Sequence, residues 1–265
     1  MSELQHLQYV ILGIVKYIDT ICRKNDIPYY LLGGSCIGAI RHKGFIPWDD
    51  DMDIIMTREN YNRFIEACRG QIDAEKYFLQ EGLVDWPLNF SKLRLKGTRL
   101  HEPEDDYAAD GMHGIYVDIF FMDNVPDSNL LAKIQYLFAK YYLCYQLASR
   151  GYKNTGIKKK LLLLLSTPMH IGWIRRFVIR QATKYNKDQT TSRYGFFYGR
   201  TRFKTAITPK SIYGTPKYVR FEDTELPVPE HYHEYLTQMF GDYMQLPPVE
   251  QQKGLHLISV DFGKY

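Results

Sequence analysis

Four aspartates occupy five positions at the start of a predicted strand, and they dominate the chemistry that this chain offers. Asp51 and Asp53 are two residues apart, so their side chains project from the same face of an extended backbone and can bind one cation. Asp49 and Asp50 directly precede them. Because clustered carboxylates repel one another unless a cation neutralises them, the spacing predicts a divalent-metal site. The alternative interpretation is a solvated acidic loop.

A turn of small residues lies a short distance before this cluster. Gly34 and Ser35 follow an apolar run at 29–32, which predicts a buried strand, and they precede a short helix predicted at about 36–41. Backbone N–H groups at such a turn can approach a phosphate closely, and the start of a helix favours an anion. We therefore expect Gly34 and Ser35 to bind phosphate next to the metal site.

Two basic side chains, Arg41 and His42, also lie close in sequence to the acidic cluster. The guanidinium of Arg41 can form paired hydrogen bonds with a carboxylate or a phosphate, so we expect it to bind one of them at the site. For His42 we favour a structural role over a catalytic one.

Two later strands, predicted at 88–95 and 115–121, carry three more charged candidates. Lys92 and Arg94 alternate along the first strand and offer phosphate-binding groups, although a solvated strand face explains them equally well. Asp118 alternates with apolar neighbours in the second strand, which would direct it toward the site if that strand lies beside the acidic cluster. An acidic loop separates the strands and contains Glu102, Glu104, Asp105 and Asp106.

The elements that must position these residues are a mixture of helices and strands. Apolar residues recur at three- and four-residue steps over 4–21, which predicts an amphipathic helix that ends near Asn25. Thr57 is a suitable N-cap for a helix that runs to about Arg69. Together with the strands, this order predicts an α+β fold with a small mixed sheet. The pattern becomes helical again over about 127–185.

The composition bounds the class of protein. With 265 residues, of which 45% are hydrophobic, the chain can form a substantial core. Its four cysteines are far apart in sequence and include no metal-binding pair. The first residues show no secretion signal, so the default expectation is a cytoplasmic location, with peripheral contact at the inner face of the plasma membrane as an extension of it.

The charge is unevenly distributed along the chain. Residues 151–204 contain thirteen Lys or Arg and one acid, a net charge of +12, which leaves −8 for the rest of a chain whose net charge is +4. Such a split indicates a surface that faces an anionic partner. Apolar and basic residues mix over 158–180, in runs too short to cross a bilayer. Contact with an anionic membrane surface and packing on the core are equally good interpretations.

Two stretches around the candidate site resemble the LicD family of bacterial phosphotransferases. They are YLLGGS at 30–35 and GAIRHKGFIPWDDDMD at 38–53. Further likenesses are KLR at 92–94, GIYVDIF at 114–120 and FGDYM at 240–244. The resemblance thus covers nearly the whole chain, and the helical part at 128–200 is its least distinctive section.

The resemblance implies a nucleotidyltransferase-like mixed sheet with packed helices. In that organisation 1–127 forms the catalytic core, 128–204 a basic helical segment and 205–265 the completion of the catalytic domain. It also implies transfer of phosphocholine from CDP-choline to a sugar hydroxyl of a teichoic acid or another cell-surface glycan precursor, which can be lipid-linked, with release of CMP. Eukaryotic relatives such as fukutin-related protein use a CDP-activated alditol phosphate, so the head group of the donor stays open.

The family's metal site is carried over by matching positions. Asp118 matches the third carboxylate of this fold, so the resemblance implies Mg2+, with Mn2+ as an alternative, bound by Asp51, Asp53 and Asp118. Either Asp118 or Asp49 would accept the proton of the attacking hydroxyl. A choline head group also needs aromatic side chains around it. The candidates near the motifs are Tyr30, Trp48, Trp86 and Phe121.

Three other functions are open on the residues alone. A nucleotidyltransferase that uses CTP would need the same metal site but would release pyrophosphate. A role with nucleic acid would use the basic segment, but no binding module is recognisable and we expect no nucleic acid as a partner. A non-enzymatic glycan-binding protein is the third alternative, and the costly cluster of carboxylates argues against it.

Overall fold

The structure is a computed structural model that describes residues 1–101, 113–149, 156–199, 201–254 and 259–265, with the backbone alone at 158 and 159. The predicted acidic loop with Glu102, Glu104, Asp105 and Asp106 lies outside the described residues. The chain divides into two compact units, the first at 1–81, 90–121 and 212–265 and the second at 82–89 and 122–211. The domains predicted at 1–127, 128–204 and 205–265 stay a prediction.

The first helix, α1 (Glu3–Lys24), buries one face along its whole length. A capping box formed by Ser2 and Gln5 begins the helix, because each side chain accepts a hydrogen bond from the backbone of the other residue. Asn25 caps the other end, which confirms the predicted end of the helix. The buried side chains at three- and four-residue steps include Leu7, Ile11, Ile14, Ile18 and Ile21.

Five strands form the sheet of the first unit, in the order β1-β2-β6-β4-β3. They are β1 (Tyr30–Leu31), β2 (Asp53–Thr57), β3 (Tyr77–Gln80), β4 (Ser91–Leu95) and the first six residues of β6 (Tyr116–Val125). Strand β6 therefore lies beside β2, as the prediction for Asp118 requires. Ile54, Ile55 and Met56 of β2 are fully buried, so this strand runs through the core.

Short helical segments connect the strands that carry the site. Helix α2 (Gly33–Ile37) follows β1 and continues as one turn of π-helix (Gly38–His42), where a helix is predicted at 36–41. Helix α3 (Arg58–Gln71) follows β2, and its N-cap is Thr57, whose hydroxyl accepts from the N–H of Asn60 at 3.2 Å. Both predicted helices are confirmed.

The remaining elements of the first unit are two small hairpin-like pairs and short helices. Strand β5 (Arg99–His101) pairs with β11 (Ser259–Asp261), and β9 (Lys217–Phe221) pairs with β10 (Thr224–Val228), all antiparallel. Helix α9 (Tyr232–Phe240) and a 3-10 turn (Val249–Gln251) follow.

The second unit is mainly helical. Its helices are α4 (Asn129–Ser149), α5 (Ile157–Ser166), a 3-10 turn (Thr167–His170), α6 (Gly172–Ala182), α7 (Phe203–Ala206) and the start of α8 (Lys210–Tyr213). The end of β6 pairs with β7 (Arg193–Gly195), which in turn pairs with β8 (Ile207–Pro209). The long helical stretch predicted between 127 and 185 is confirmed.

These elements confirm the predicted α+β class, with a sheet and several packed helices. The nucleotidyltransferase-like topology stays a prediction. Among the helices that the structure describes, none combines the length and the apolar character that a membrane span requires.

Candidate active site

The acidic turn, defined as residues 49–53, is fixed by hydrogen bonds from a residue of the first helix. The side-chain amide of Gln8 donates hydrogen bonds to the carbonyl oxygens of Ile46 at 3.1 Å and Asp49 at 2.8 Å. The N–H of Asp49 donates to Ile46 O at 2.9 Å. The backbone that carries the carboxylates is therefore fixed by the protein itself.

Two features hold the small-residue turn, Gly34 and Ser35, against the acidic turn: a hydrogen bond to the side chain of Ser35, and the absence of a side chain on Gly34. Ser35 Oγ accepts from the N–H of Asp53 at 2.9 Å, which couples α2 to the start of β2. A Cβ added to Gly34 would lie 3.1 Å from Asp49 Oδ2, so glycine permits this close approach. The predicted phosphate-binding pair thus lies directly at the carboxylates, and its contact with phosphate stays a prediction.

Three consecutive carboxylates form the tightest group of potential metal ligands among the described residues. Oxygen atoms of Asp49, Asp50 and Asp51 all lie within 4.8 Å of one another. The sequence predicted Asp51, Asp53 and Asp118 as metal ligands and did not include Asp50. The run of consecutive aspartates at 49–51 is the sequence signal that points to Asp50. Asp50 is buried, and a Cβ on Gly254 would lie 2.6 Å from its Oδ2.

Asp53 and Asp118 lie on the neighbouring strands β2 and β6, beside this group. The N–H of Asp118 donates to Met52 O at 3.0 Å, which places β6 against the residue that precedes β2. The pKa of Asp53 is raised well above its ordinary value by burial and, in decreasing order, by the charges of Asp51, Asp118 and Asp49. Asp53 therefore lies within electrostatic reach of Asp51 and Asp118, although neither Asp53 nor Asp118 belongs to the group whose oxygens lie within 4.8 Å of one another. Their predicted role as metal ligands with Asp51 stays a prediction.

The electrostatics of the site fit a divalent cation. Burial, followed by the charges of Asp51 and Asp50, raises the pKa of Asp49 to about 8. Both Asp49 and Asp53 therefore resist ionisation, first because they are buried and second because negative charge accumulates around them. Mg2+ and Mn2+ prefer carboxylate oxygens and would neutralise this charge, so the residues present fit the predicted metal.

Lys92 is a cation placed inside this acidic group. It lies opposite Asp118 in the β4–β6 register, and its Nζ is 3.1 Å from Asp118 Oδ1 in a pair whose side chains are only 5% and 12% exposed. Its Nζ also lies 3.3 Å from the centroid of the Tyr116 ring. The positive charge of Lys92 lowers the pKa of Asp53, whereas the neighbouring carboxylates raise it. Lys92 is therefore at the site, and its predicted contact with donor phosphate stays untested.

The two arginines predicted to bind phosphate have several protein partners. Buried Arg94 donates from Nε to Gln80 Oε1 and from a terminal nitrogen to Gly114 O, both at 2.8 Å. Arg41 donates to Tyr243 O at 2.7 Å and to Gln245 O at 3.2 Å. Their phosphate contacts stay predictions. Arg41 contacts the late loop around 243–245, which belongs to the FGDYM stretch of the family resemblance but for which no contact with Arg41 was predicted.

A cavity of about 410 Å3 lies in the first unit next to the acidic turn. Arg41, Trp48, Phe240, Asp242, Tyr243 and Leu246 are among the residues that line it. Trp48 directly precedes the acidic turn, and a Cβ on Gly33 would lie 4.0 Å from the tip of the Phe240 ring. The aromatic lining therefore borders both the acidic turn and the small-residue turn.

Of the four aromatic candidates for the head group, Trp48 is the one that lines this cavity. Tyr30 is buried, and its hydroxyl donates to Gly214 O at 2.6 Å. Phe121 is buried beneath the guanidinium of Arg58, at 3.4 Å from the ring centroid. Trp86 belongs to the second unit.

Comparison with known proteins matches the part of the chain that carries these residues. A family model described as "LicD/FKTN/FKRP, nucleotidyltransferase domain" matches 26–132, which includes the acidic turn and Asp118. The lipopolysaccharide cholinephosphotransferase LicD of Haemophilus influenzae is 32% identical over 267 residues, 96% of each chain. The ribitol 5-phosphate transferases FKRP of Mus musculus and Homo sapiens are 33% identical over 73 residues, 26% of this chain and 15% of theirs.

The carboxylate-rich site on an α+β fold, together with these matches, defines a phosphotransferase. This chain belongs to the LicD family. Sequence resemblance alone predicted this membership, and the near full-length match confirms it.

Proposed function

We propose that this protein transfers phosphocholine from CDP-choline to a sugar hydroxyl of a cell-surface glycan precursor and releases CMP. The observation that supports it most directly is the group of three carboxylates, Asp49, Asp50 and Asp51, whose charges together with that of Asp118 act on Asp53, next to a cavity lined in part by aromatic residues. The name of the Haemophilus influenzae relative supports phosphocholine as the group and a glycan as the acceptor.

Asp51, Asp53 and Asp118 would hold Mg2+ or Mn2+, with Asp49 and Asp50 close enough to complete the ligand set. When bound, the metal supplies charge neutralisation for the diphosphate of the donor. The protein's own contribution is rigid positioning, since hydrogen bonds from Gln8 and Ser35 fix the backbone of the acidic turn.

In the transfer step, the acceptor hydroxyl oxygen attacks the phosphorus that bears choline. A new bond forms between that oxygen and phosphorus, the bond from phosphorus to the bridging oxygen breaks, and CMP leaves with the electron pair. The proton of the hydroxyl passes to a carboxylate, for which Asp49 and Asp118 are the candidates. Gly34 and Ser35 border the space that the phosphates would occupy.

The aromatic cavity is the proposed site for the choline head group. A quaternary ammonium group forms no ordinary hydrogen bonds and gains most from the faces of aromatic rings. Trp48, Phe240 and Tyr243 supply such rings, and Asp242 supplies a negative charge in the same lining. This assignment places the head group directly beside the acidic turn.

The decisive experiment measures the products that the purified protein forms with Mg2+. With CDP-choline and a glycan acceptor we expect stoichiometric CMP and phosphocholine-bearing glycan. With CTP we expect no pyrophosphate, which separates this function from the nucleotidyltransferase alternative. A panel with CDP-ribitol tests the head group, and full activity in Asp51→Asn or Asp53→Asn would refute the metal assignment.

A further inference from the structure

The leucines of α5 are not part of a core. Leu164 and Leu165 lie three and four residues after Leu161, so the three share one side of the helix, and each is more than half exposed, with Leu164 at 70%. After the 3-10 turn, Ile171, Trp173 and Phe177 continue the pattern, with Trp173 at 66% exposed. We call these six residues the exposed apolar face.

Phe177 lies at the edge of this face, because it is half exposed and its ring also contacts that of Phe138 on α4, with 5.8 Å between the centroids. The other members of the face are distinct from the residues by which the 3-10 turn and α6 pack. Met169, Val178 and Ala182 are buried within the second unit, and Arg175 donates to the hydroxyl of Tyr145 on α4 at 3.0 Å. The 3-10 turn and α6 are therefore anchored through these residues. The leucines of α5 are exposed more widely, since Leu163, on another side of that helix, is also 42% exposed. Exposed apolar patches of this kind mark interaction surfaces in folded proteins.

Basic side chains accompany the exposed apolar face. Lys160, Arg176 and Arg180 are exposed, and Arg176 and Arg180 lie one helical turn from Trp173 and Phe177. The whole stretch 151–204 has thirteen Lys or Arg and one acid. A partner for this face must therefore be apolar in part and negatively charged around it.

We infer that α5 and α6 dock this protein onto an anionic lipid bilayer, with the exposed apolar face at the level of the head groups. Leucine, tryptophan and flanking cations are the mixture that interfacial helices use. Each cation near an anionic leaflet adds to the attraction. A symmetric contact with a second copy would instead bring the same basic residues opposite one another, which their charge disfavours.

This inference does not rest on the transfer reaction, and either can fail alone. The inference says where the transfer would take place, because a glycan precursor attached to a lipid carrier would be presented at the surface of the same bilayer. The contact would be peripheral and reversible, since it uses an amphipathic surface and electrostatic attraction.

The test is flotation of the purified full chain with vesicles of phosphatidylcholine, alone or with about one third phosphatidylglycerol. We expect binding to the mixed vesicles at least tenfold stronger than to the neutral ones, and weakened by high salt. Absence of flotation with mixed vesicles at low salt would overturn the inference.

Two double variants, each with a matched control, test whether α5 and α6 are the part of the protein that binds the vesicles. Arg176→Glu with Arg180→Glu should lose at least tenfold in vesicle binding, whereas Lys217→Glu with Arg220→Glu, the same charge change on exposed β9, should bind as the natural protein does. Leu161→Ser with Leu164→Ser should lose at least tenfold, whereas Leu130→Ser with Leu137→Ser on α4 should not. Equal losses in test and control variants would contradict the assignment.

Thermal unfolding of every variant must match that of the natural protein, so that misfolding is excluded. Concentration-dependent dimers without vesicle binding would assign the face to self-association and overturn the inference. CMP release with a water-soluble acceptor should be unchanged in Arg176→Glu with Arg180→Glu. Loss of CMP release in the natural protein, with vesicle binding retained, would count against the proposed function alone.

Discussion

The acidic turn and the exposed apolar face both place side chains in unfavourable surroundings, but they differ in how the backbone is held. In the acidic turn, like charges gather on a backbone fixed by Gln8 and Ser35. On α5 and α6, large apolar side chains are exposed to water on helices of ordinary geometry. The rigid turn suits a small ligand of defined geometry, whereas the open helical surface suits an extended, adaptable partner. Neither feature is explained by the stability of the fold.

The largest effect on activity is expected when a carboxylate of the acidic turn is removed. Asp53→Asn should lower the turnover of CDP-choline by about a thousandfold or more, because a metal ligand is lost and each tenfold step costs only about 1.4 kcal/mol of transition-state stabilisation. Asp26→Asn is the control, since Asp26 is exposed at a positive φ that Asn tolerates. Steady-state CMP release with matched melting curves measures the effect, and equal activities in the two variants would remove Asp53 from the site.

Removal of the buried cation should mainly affect stability. Lys92→Met leaves Asp118 as a buried charge without its 3.1 Å partner, which should lower the free energy of unfolding by about 3–5 kcal/mol. Lys16→Met breaks an exposed pair with Asp223 at 2.6 Å and should cost no more than about 1 kcal/mol. Urea denaturation compares the two. Similar losses would mean that burial of the Lys92 pair has no energetic consequence.

The pH dependence of stability tests the combined effect of burial and of neighbouring charge on the carboxylates. The pKa of Asp49 is raised to about 8, so the folded protein retains a proton that the unfolded chain releases near pH 4. The free energy of unfolding without metal should therefore fall between about pH 4 and 8, by at most about 1.4 kcal/mol per pH unit for each retained proton.

The matched measurement is denaturation in EDTA across this range for the natural protein and Asp49→Asn. The variant should show the flatter profile, and added Mg2+ should stabilise the natural protein most at the alkaline end. A natural protein whose stability rises with pH relative to the variant would contradict the expected direction.

The aromatic cavity should produce a moderate effect on donor binding. Trp48→Ala should raise the KM for CDP-choline by about 5- to 30-fold, because a cation–π contact of about 1–2 kcal/mol is lost. Trp48→Phe should restore most of the binding. Inhibition by CMP, which lacks choline, serves as the control and should be the same in all three proteins. A parallel loss of CMP affinity would mean that Trp48 supports the nucleotide rather than the head group.

The smallest expected effect concerns the exposed apolar face. Leu164→Ser should change the free energy of unfolding by less than about 0.5 kcal/mol, because the side chain of Leu164 is mostly exposed and buries little apolar surface in the fold. Leu31→Ala, at a fully buried position, should cost about 2–5 kcal/mol. Denaturation curves for both variants would show whether the leucines of α5 are structural, and a large loss at Leu164 would indicate that they are.

The sequence predicted best what depends on local periodicity. The spacing of apolar residues located α1 and its end at Asn25, and the N-cap preference of threonine located the start of α3 at Thr57. The prediction for Asp118 required its strand to lie beside β2, and the structure has the two strands as neighbours. These features depend on neighbours in the chain or on a motif that spans the whole site.

What the sequence could not predict depends on register and on distant segments. The pairing of Lys92 with Asp118 requires the β4–β6 register, which no local pattern defines. The contacts of Arg41 with 243–245 join segments about two hundred positions apart. The exposure of the α5 leucines was equally undecided, because a leucine run has the same periodicity whether its outer side meets a core or water.

The hydrogen bonds from Gln8 to Ile46 and Asp49 have a consequence for affinity. A loop that is disordered before binding must lose conformational entropy when its ligand arrives, and this loss weakens the complex. Here the loop is preorganised by an amide on the first helix. One glutamine near the start of the chain should therefore strengthen the binding of a metal or a nucleotide that other residues coordinate.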